Sequence, residues 1–301
     1  MQKVIRVVEV APRDGLQNEK ALLSTSIKVE LINRLTDAGI SHIEATSFVS
    51  PKWVPQLADG VEVMHQIKRK AGTVYSALVP NMKGFAGALA AKVDEVVIFT
   101  AASETFSQKN INCSIAESFD RFAPVALGAK EYHLRLRGSI SCALGCPYEG
   151  KVPVTAVAGV VRRLRDLGCD EIDIADTIGV GTANQIKEVI GAAAQEFSID
   201  HLAGHYHDTY GQALANILAS VEVGMSIFHS SVAGLGGCPF AHGATGNVAT
   251  EDLLYFLHGL GLPTGINLDK IVQAGDFISQ AIGRENRSRA GSALLARRCH
   301  P

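Results

Sequence analysis

Short apolar runs rich in Val and Ile alternate along this chain with longer stretches in which apolar residues recur every three or four positions. The first pattern reads as buried strands, the second as amphipathic helices. Strands are predicted over 4–10, 42–46, 74–79, 95–100, 133–140, 171–175, 201–207 and 226–232. Helices are predicted between them, over 26–38, about 55–70, 82–92, 115–129, 153–167, 183–196, 212–223 and 248–260. The stretch over 26–38 sets Ile27, Leu31, Ile32 and Leu35 on one face and stops at Gly39, a residue suited to the left-handed turn that closes a helix. Strict alternation requires parallel strands joined by helical crossovers. Eight such units in about 250 residues point to the α/β class and a closed (β/α)8 barrel of the TIM type. The alternative is an open doubly wound sheet. Against it, Ala11-Pro12-Arg13-Asp14-Gly15 follows the first strand in place of a Gly-x-Gly-x-x-Gly turn.

No internal boundary or low-complexity tract interrupts the pattern, so one domain is expected over 1–301, with the barrel at about 4–262. An additional C-terminal helix follows at 268–282. The tail from Arg284 to Pro301 carries five arginines and one acid, Glu285. A solvated or frayed terminus is the favoured reading of that tail, and a patch for phosphate groups the sharper one.

Composition narrows the partners. The chain has 301 residues, 47% of them hydrophobic and 19% charged, with a formal net charge of -2. That balance suits a globular protein and gives no reason to expect nucleic acid or a membrane surface as a bulk partner. No apolar run approaches the roughly 20 residues of a membrane span. A strand pattern begins at once, without the layout of a signal or transit peptide. Six scattered cysteines suggest thiols in a reducing cytoplasm rather than a disulfide framework.

Barrels of this type collect their chemistry at the C-terminal ends of the strands. Strand one delivers Arg13 and Asp14, strand two Glu44, strand five Arg137, strand six Asp176, and strand seven His205 and His207. Residues two apart in a strand share a face, so His205 and His207 form a ready metal pair. The loop after strand eight ends at Asn247. Strands seven, eight and one are neighbours in a closed barrel, so Asp14, His205, His207 and Asn247 can converge. That mixed nitrogen and oxygen set suits Mg²⁺ or Mn²⁺. Zinc remains open on ligand grounds, although no cysteine spacing matches a structural zinc site. Five glycines between Gly234 and Gly246 make the last loop a lid, and Cys238 within it can act as general acid or base after the lid closes. Glu44 can support Arg13 or a ligand from behind. Arg13, Arg137 and Asp176 are expected on the substrate side.

At these residues the chain resembles the 3-hydroxy-3-methylglutaryl-CoA lyase family. The likeness lies in Glu9 to Glu19, Glu44 to Lys52, Ser141 to Gly150, Asp176 to Thr182, His207 to Asn216 and, most specifically, Ser231 to Ala241. It covers about 4–282. It implies cleavage of the acyl-CoA to acetyl-CoA and acetoacetate by a reverse Claisen-type break, with Asp14, His205, His207 and Asn247 as metal ligands. It further implies that Arg13 stabilises the enolate oxygen and that Cys238 protonates the enolate carbon or relays a proton. Asp14 and His205 are both candidates for the base that takes the C3 hydroxyl proton. Glu44 would hold the ligands in place, and Lys20 matches a position near the CoA phosphates. A homodimer is the family-level expectation, and leucine breakdown or ketone-body formation the pathways.

Three positions depart from the family's pattern. Tyr206 replaces a common Cys and should face away from the histidines. His229 replaces a common Asp, and pointing inward it would remove a negative charge near the site. Gly283 falls where relatives often have an Asn associated with CoA. Cys299 near the end carries no assigned role. The rival readings are a related lyase or aldolase for another branched 3-hydroxyacyl-CoA, a metal-dependent hydrolase, and a non-catalytic barrel that binds acyl-CoA or a partner. Hydrolases of barrel type usually carry their His-x-His on strand one. A silent barrel has no need for Arg13, Asp14, His205, His207, Cys238 and Asn247 together.

Overall fold

The computed structural model describes residues 4–237 and 246–299. Eight parallel strands pair in sequence order and close into a barrel. They are β1 (Arg6–Glu9), β2 (His42–Ser47), β3 (Val74–Leu78), β4 (Glu95–Ala101), β5 (Arg135–Ser141), β6 (Glu171–Asp176), β7 (Leu202–Tyr206) and β8 (Ile227–Ser230). The closing pair is β1 with β8, in register from Arg6 opposite Ile227 to Glu9 opposite Ser230. Strands covered by helices on their outer face must be apolar there, which explains their Val and Ile content.

The helices are α1 (Thr25–Asp37), α2 (Gly60–Gln66), α3 (Met82–Ala90), α4 (Glu104–Ile111), α5 (Ile115–Glu131), α6 (Val154–Leu167), α7 (Ala183–Ala194), α8 (Ala213–Glu222), α9 (Thr250–Gly259), α10 (Leu268–Ile282) and α11 (Arg289–Cys299). A continuous apolar layer between strands and helices includes Leu31, Ile32 and Leu35 of α1, Val157, Val161 and Leu164 of α6, and Ile271, Ala274 and Ile278 of α10.

Three elements differ from the sequence reading. The chain after β1 does not simply turn. Ala11–Gly15 forms one π-helical turn with Pro12 near its start, a wide turn often found at functional sites. The loop after β4 contains α4, capped by the Ser103 side chain. The tail read as solvated or frayed contains a helix, exposed at Arg289, Ser292, Ala293, Ala296 and Arg297, so two helices follow the barrel rather than one. Asp252 of α9 takes hydrogen bonds from Ser288 Oγ at 2.8 Å and Ala290 N at 2.7 Å, and so caps the start of α11.

The barrel interior is charged. Arg137 of β5 pairs with Glu44 of β2 and Asp173 of β6, and touches His229 of β8. Neither β2 nor β8 neighbours β5 in the sheet, so these contacts cross the inside of the barrel. Val8, Val10, Ala203 and Ile227 form only a small apolar cluster beside them.

Candidate active site

The π-helical turn after β1 carries Arg13 and Asp14 to the mouth of the barrel. Gly15 makes the turn possible by close packing, since a Cβ there would meet Ser231 Oγ at 2.6 Å and Leu235 Cβ at 2.8 Å. His205 lies near the end of β7, and His207 just beyond it bridges to Asn247 on the far side of the last loop. The backbone at this point is fixed by His207 N to Asp176 O at 3.3 Å and by Asp208 N to Gly246 O at 2.9 Å. Gly179 has φ of 69° and backs onto His207, where a Cβ would meet the His207 carbonyl at 2.9 Å.

One potential ligand atom from each of Asp14, His205 and His207 lies within 4.8 Å of the others. The rings of the two histidines are 5.5 Å apart. Asn247 joins them by donating from Nδ2 to Asp14 Oδ2 at 2.6 Å and to the Leu235 carbonyl at 3.2 Å. Its amide oxygen must turn inward to act as a ligand. The His207 ring is turned toward the Thr177 backbone, a contact that opposes the lowering by burial. Two imidazoles and a carboxylate with ligand atoms this close form a donor set that fits a divalent ion.

Electrostatics favour the same form. Burial lowers the His205 imidazolium to about 4, with Asp14 opposing and His207 and Arg13 adding to the shift. Burial likewise lowers His207, against the pull of Asp14. Both rings are therefore neutral near pH 7, the form that binds metal. Burial alone would raise Asp14, but Arg13, the two histidines and the Asn247 hydrogen bond hold it well below the usual carboxylate range. Arg13 gives Nη1 to Asp14 Oδ1 at 2.8 Å and Nε to Glu44 Oε1. These contacts use two of its five donors, and the guanidinium remains partly exposed at the mouth.

Glu44 is buried and shared. Its second oxygen takes Nη2 of Arg137. Burial pushes its carboxyl up, but Arg13 and Arg137 outweigh that and keep it ionised. Arg137 itself differs from the expected position at a strand end. It sits mid-strand, 1% exposed, among Glu44, Glu95 and Asp173. It is a buried support under the mouth and is not open to a substrate.

A second cluster, Asp173, His205 and His229, also has three potential ligand atoms within 4.8 Å. Arg137 Nη1 occupies that region, 3.0 Å from His229 Nε2 and 3.5 Å from Asp173. A cation there would face a guanidinium at contact distance, so the cluster around Asp14 is the favourable one.

The remaining expectations divide. Asp176 ends β6, but its carboxylate accepts from Val180 N at 3.1 Å and Gly181 N at 2.8 Å. It braces the turn behind His207 rather than facing open space. Lys20 is exposed on the segment after the π-helical turn, where neighbouring Glu19 pairs with Arg284 at 2.5 Å. Tyr206 turns outward and shares a hydrogen bond with Ser220 of α8 at 2.9 Å. His229 points inward. Gly283 takes the left-handed position that ends α10, and Cys299 closes α11. Cys238 lies outside the described residues.

Three acids escaped sequence reasoning. Glu9 accepts from Ala11 N, Val232 N and Thr250 Oγ1. Glu251 accepts from Ala233 N at 2.9 Å, where the backbone is left-handed with φ of 59°. Together they brace the stem of the last loop. Asp173 supports Arg137. The available signals were an acid inside the apolar run Val7-Val8-Glu9-Val10 and the period-two acids Glu171 and Asp173.

Comparisons with known proteins bear on this arrangement. Residues 4–278 match the family model described as HMGL-like. The chain is 54% identical over 297 residues to a 3-hydroxy-3-isohexenylglutaryl-CoA/hydroxy-methylglutaryl-CoA lyase of Pseudomonas aeruginosa, covering 99% of each. It is 54% identical over 293 residues to the mitochondrial hydroxymethylglutaryl-CoA lyase of Homo sapiens, covering 97% of this chain and 90% of that protein. The crystal structure of the hydroxymethylglutaryl-CoA lyase from Pseudomonas aeruginosa superposes with a TM-score of 0.97 at 54% identity, covering 99% of both chains.

Proposed function

The chain belongs to the HMGL-like family and cleaves 3-hydroxy-3-methylglutaryl-CoA to acetyl-CoA and acetoacetate, and we propose that it does so with Mg²⁺ or Mn²⁺ held by Asp14, His205, His207 and Asn247. The observation that carries the cation is the convergence of Asp14, His205 and His207, each with a ligand atom within 4.8 Å of the others. A divalent ion supplies Lewis acidity toward the substrate's C3 hydroxyl and carboxylate.

The side chains supply the rest. Arg13, locked by Asp14 and Glu44, presents its remaining N–H groups to the enolate oxygen that develops on the thioester. Cys238 protonates the enolate carbon or relays a proton to it. Asp14 and His205 remain the two candidates for the base that takes the hydroxyl proton. Glu44 and Arg137 hold Arg13 in place from beneath.

A groove of about 610 Å³ leads away from Asn247, bordered by Tyr210, Gly234, Asn286, Arg287 and Arg289. Its lining mixes Arg287 and Arg289 with Asp208, Asp252 and Glu285, and the anionic end of CoA is proposed to meet the two arginines. Lys20 is carried as a further contact to the CoA phosphates. Cys113, Cys146 and Cys169 are buried, and a cytoplasmic location is carried as the expectation. No helix among the described residues is long and apolar enough to cross a membrane. A homodimer is the assembly expected, to be read by sedimentation.

A second reading concerns substrate range. The Pseudomonas aeruginosa relative is named for a 3-isohexenyl substrate as well as the 3-methyl one. Supplying both thioesters to the purified protein tests the assignment. Acetyl-CoA with acetoacetate supports the lyase, turnover of the isohexenyl thioester widens it, and free CoA without acetyl-CoA points to a hydrolase.

A further inference from the structure

We propose that His229 is a positioning residue for the cation site, fixing how His205 presents its ring. The inference rests on the cation reading above. His205 Nδ1 and His229 Nδ1 are 3.2 Å apart, both buried, with the rings nearly perpendicular at 83°. Because Nδ1 of His205 faces His229, Nε2 is the nitrogen left for the cation. A neutral imidazole that gives its Nε2 lone pair to a metal carries its hydrogen on Nδ1. That hydrogen needs an acceptor inside the barrel, and His229 Nδ1 is the atom at hydrogen-bond distance.

Accepting through Nδ1 places the hydrogen of His229 on Nε2. Asp173 belongs to the same cluster within 4.8 Å, but its carboxylate accepts from Ser139 at 2.6 Å and from Arg137 at 3.5 Å, and not from His229. Arg137 Nη1 is 3.2 Å from His229 Nδ1 and 3.0 Å from Nε2. It lies almost evenly between the two nitrogens and does not choose between them. His229 thus does the work that a carboxylate does behind a metal-bound histidine: it fixes ring orientation and the nitrogen that is metallated. His229 is 2% exposed and acts only through His205.

The test is the binding of Mn²⁺ to the full-length protein, followed by the electron paramagnetic resonance signal of free Mn²⁺. His229→Leu keeps bulk but cannot accept a hydrogen bond, and is expected to weaken Mn²⁺ binding by roughly 10–100-fold. His229→Asn offers an amide oxygen near the position of Nδ1, and is expected to stay within about threefold of wild type. Loss of binding in both variants alike would mark a merely structural role and overturn the proposal. So would unchanged binding in a folded His229→Leu. Should the Leu variant fail to fold, ¹⁵N-histidine spectra of the Mg²⁺-loaded wild type decide. A hydrogen on Nδ1 of His205 supports the proposal and one on Nε2 overturns it. Failure of the wild type itself to bind Mn²⁺ or Mg²⁺ removes the cation reading, and this inference with it.

Discussion

Asp14 and Asn247 stand 233 positions apart in the sequence and meet at 2.6 Å across the seam where the barrel closes. One comes from the turn after β1, the other from the end of the loop after β8. Closure of the barrel is therefore what brings the proposed cation ligands together. Asn247→Ala removes one ligand and the hydrogen bond that orients Asp14. Mn²⁺ affinity should fall at least about tenfold, since loss of an outer partner alone costs that much. Titration calorimetry on the variant checks it, and an unchanged dissociation constant would remove Asn247 from the set.

Glu44, itself buried, joins two arginines. Glu44→Gln leaves Arg13 and Arg137 without their shared countercharge, and breaking a buried pair costs about 3–5 kcal/mol. Urea denaturation should show that loss. Turnover should fall further than stability explains, because Arg13 loses its second anchor. A variant as stable as wild type would mean that Glu95 and Asp173 alone satisfy Arg137.

Glu9 gives a pH signature. Burial raises its carboxyl from 4.5 to about 7, with Thr250 and backbone N–H groups opposing. The folded protein therefore holds a proton that the unfolded chain releases. That contribution is complete below about pH 4.5 and is lost as pH rises through about 7. Glu9→Gln keeps the shape and cannot titrate. Between pH 5 and pH 8 it should gain on wild type by up to about 3 kcal/mol. Denaturation curves at the two pH values test this, and a constant difference would contradict it.

Cys238→Ala should abolish most turnover and leave Mn²⁺ affinity unchanged, because a lid thiol moves a proton and holds no metal. Metal loss in that variant would end the lid-thiol role.

The alternation of apolar runs made the barrel legible, because a strand covered by helices must be apolar on its outer face. The mouth was legible for the same reason: strand order alone brings Asp14, His205, His207 and Asn247 together. The π-helical turn at Ala11–Gly15 was not, since contacts with Ser231 and Leu235 fix it rather than local sequence. The helix α4 was hidden because Phe106 and Ser107 are its only buried residues. The depth of Arg137 was missed because a strand position does not reveal which carboxylates await it across the barrel. Position 229 stood out as a departure, but its contact with His205 appears only when β7 and β8 are paired.

A divalent ion at the barrel mouth is proposed to carry the reaction of this lyase. The most direct measurement strips the protein with chelator and supplies 3-hydroxy-3-methylglutaryl-CoA with Mg²⁺, Mn²⁺ or no metal, for wild type and for His207→Ala. Acetoacetate and acetyl-CoA should appear together in wild type, only when metal is restored, and not in His207→Ala. Equal formation of both products by stripped wild type without metal would contradict the account.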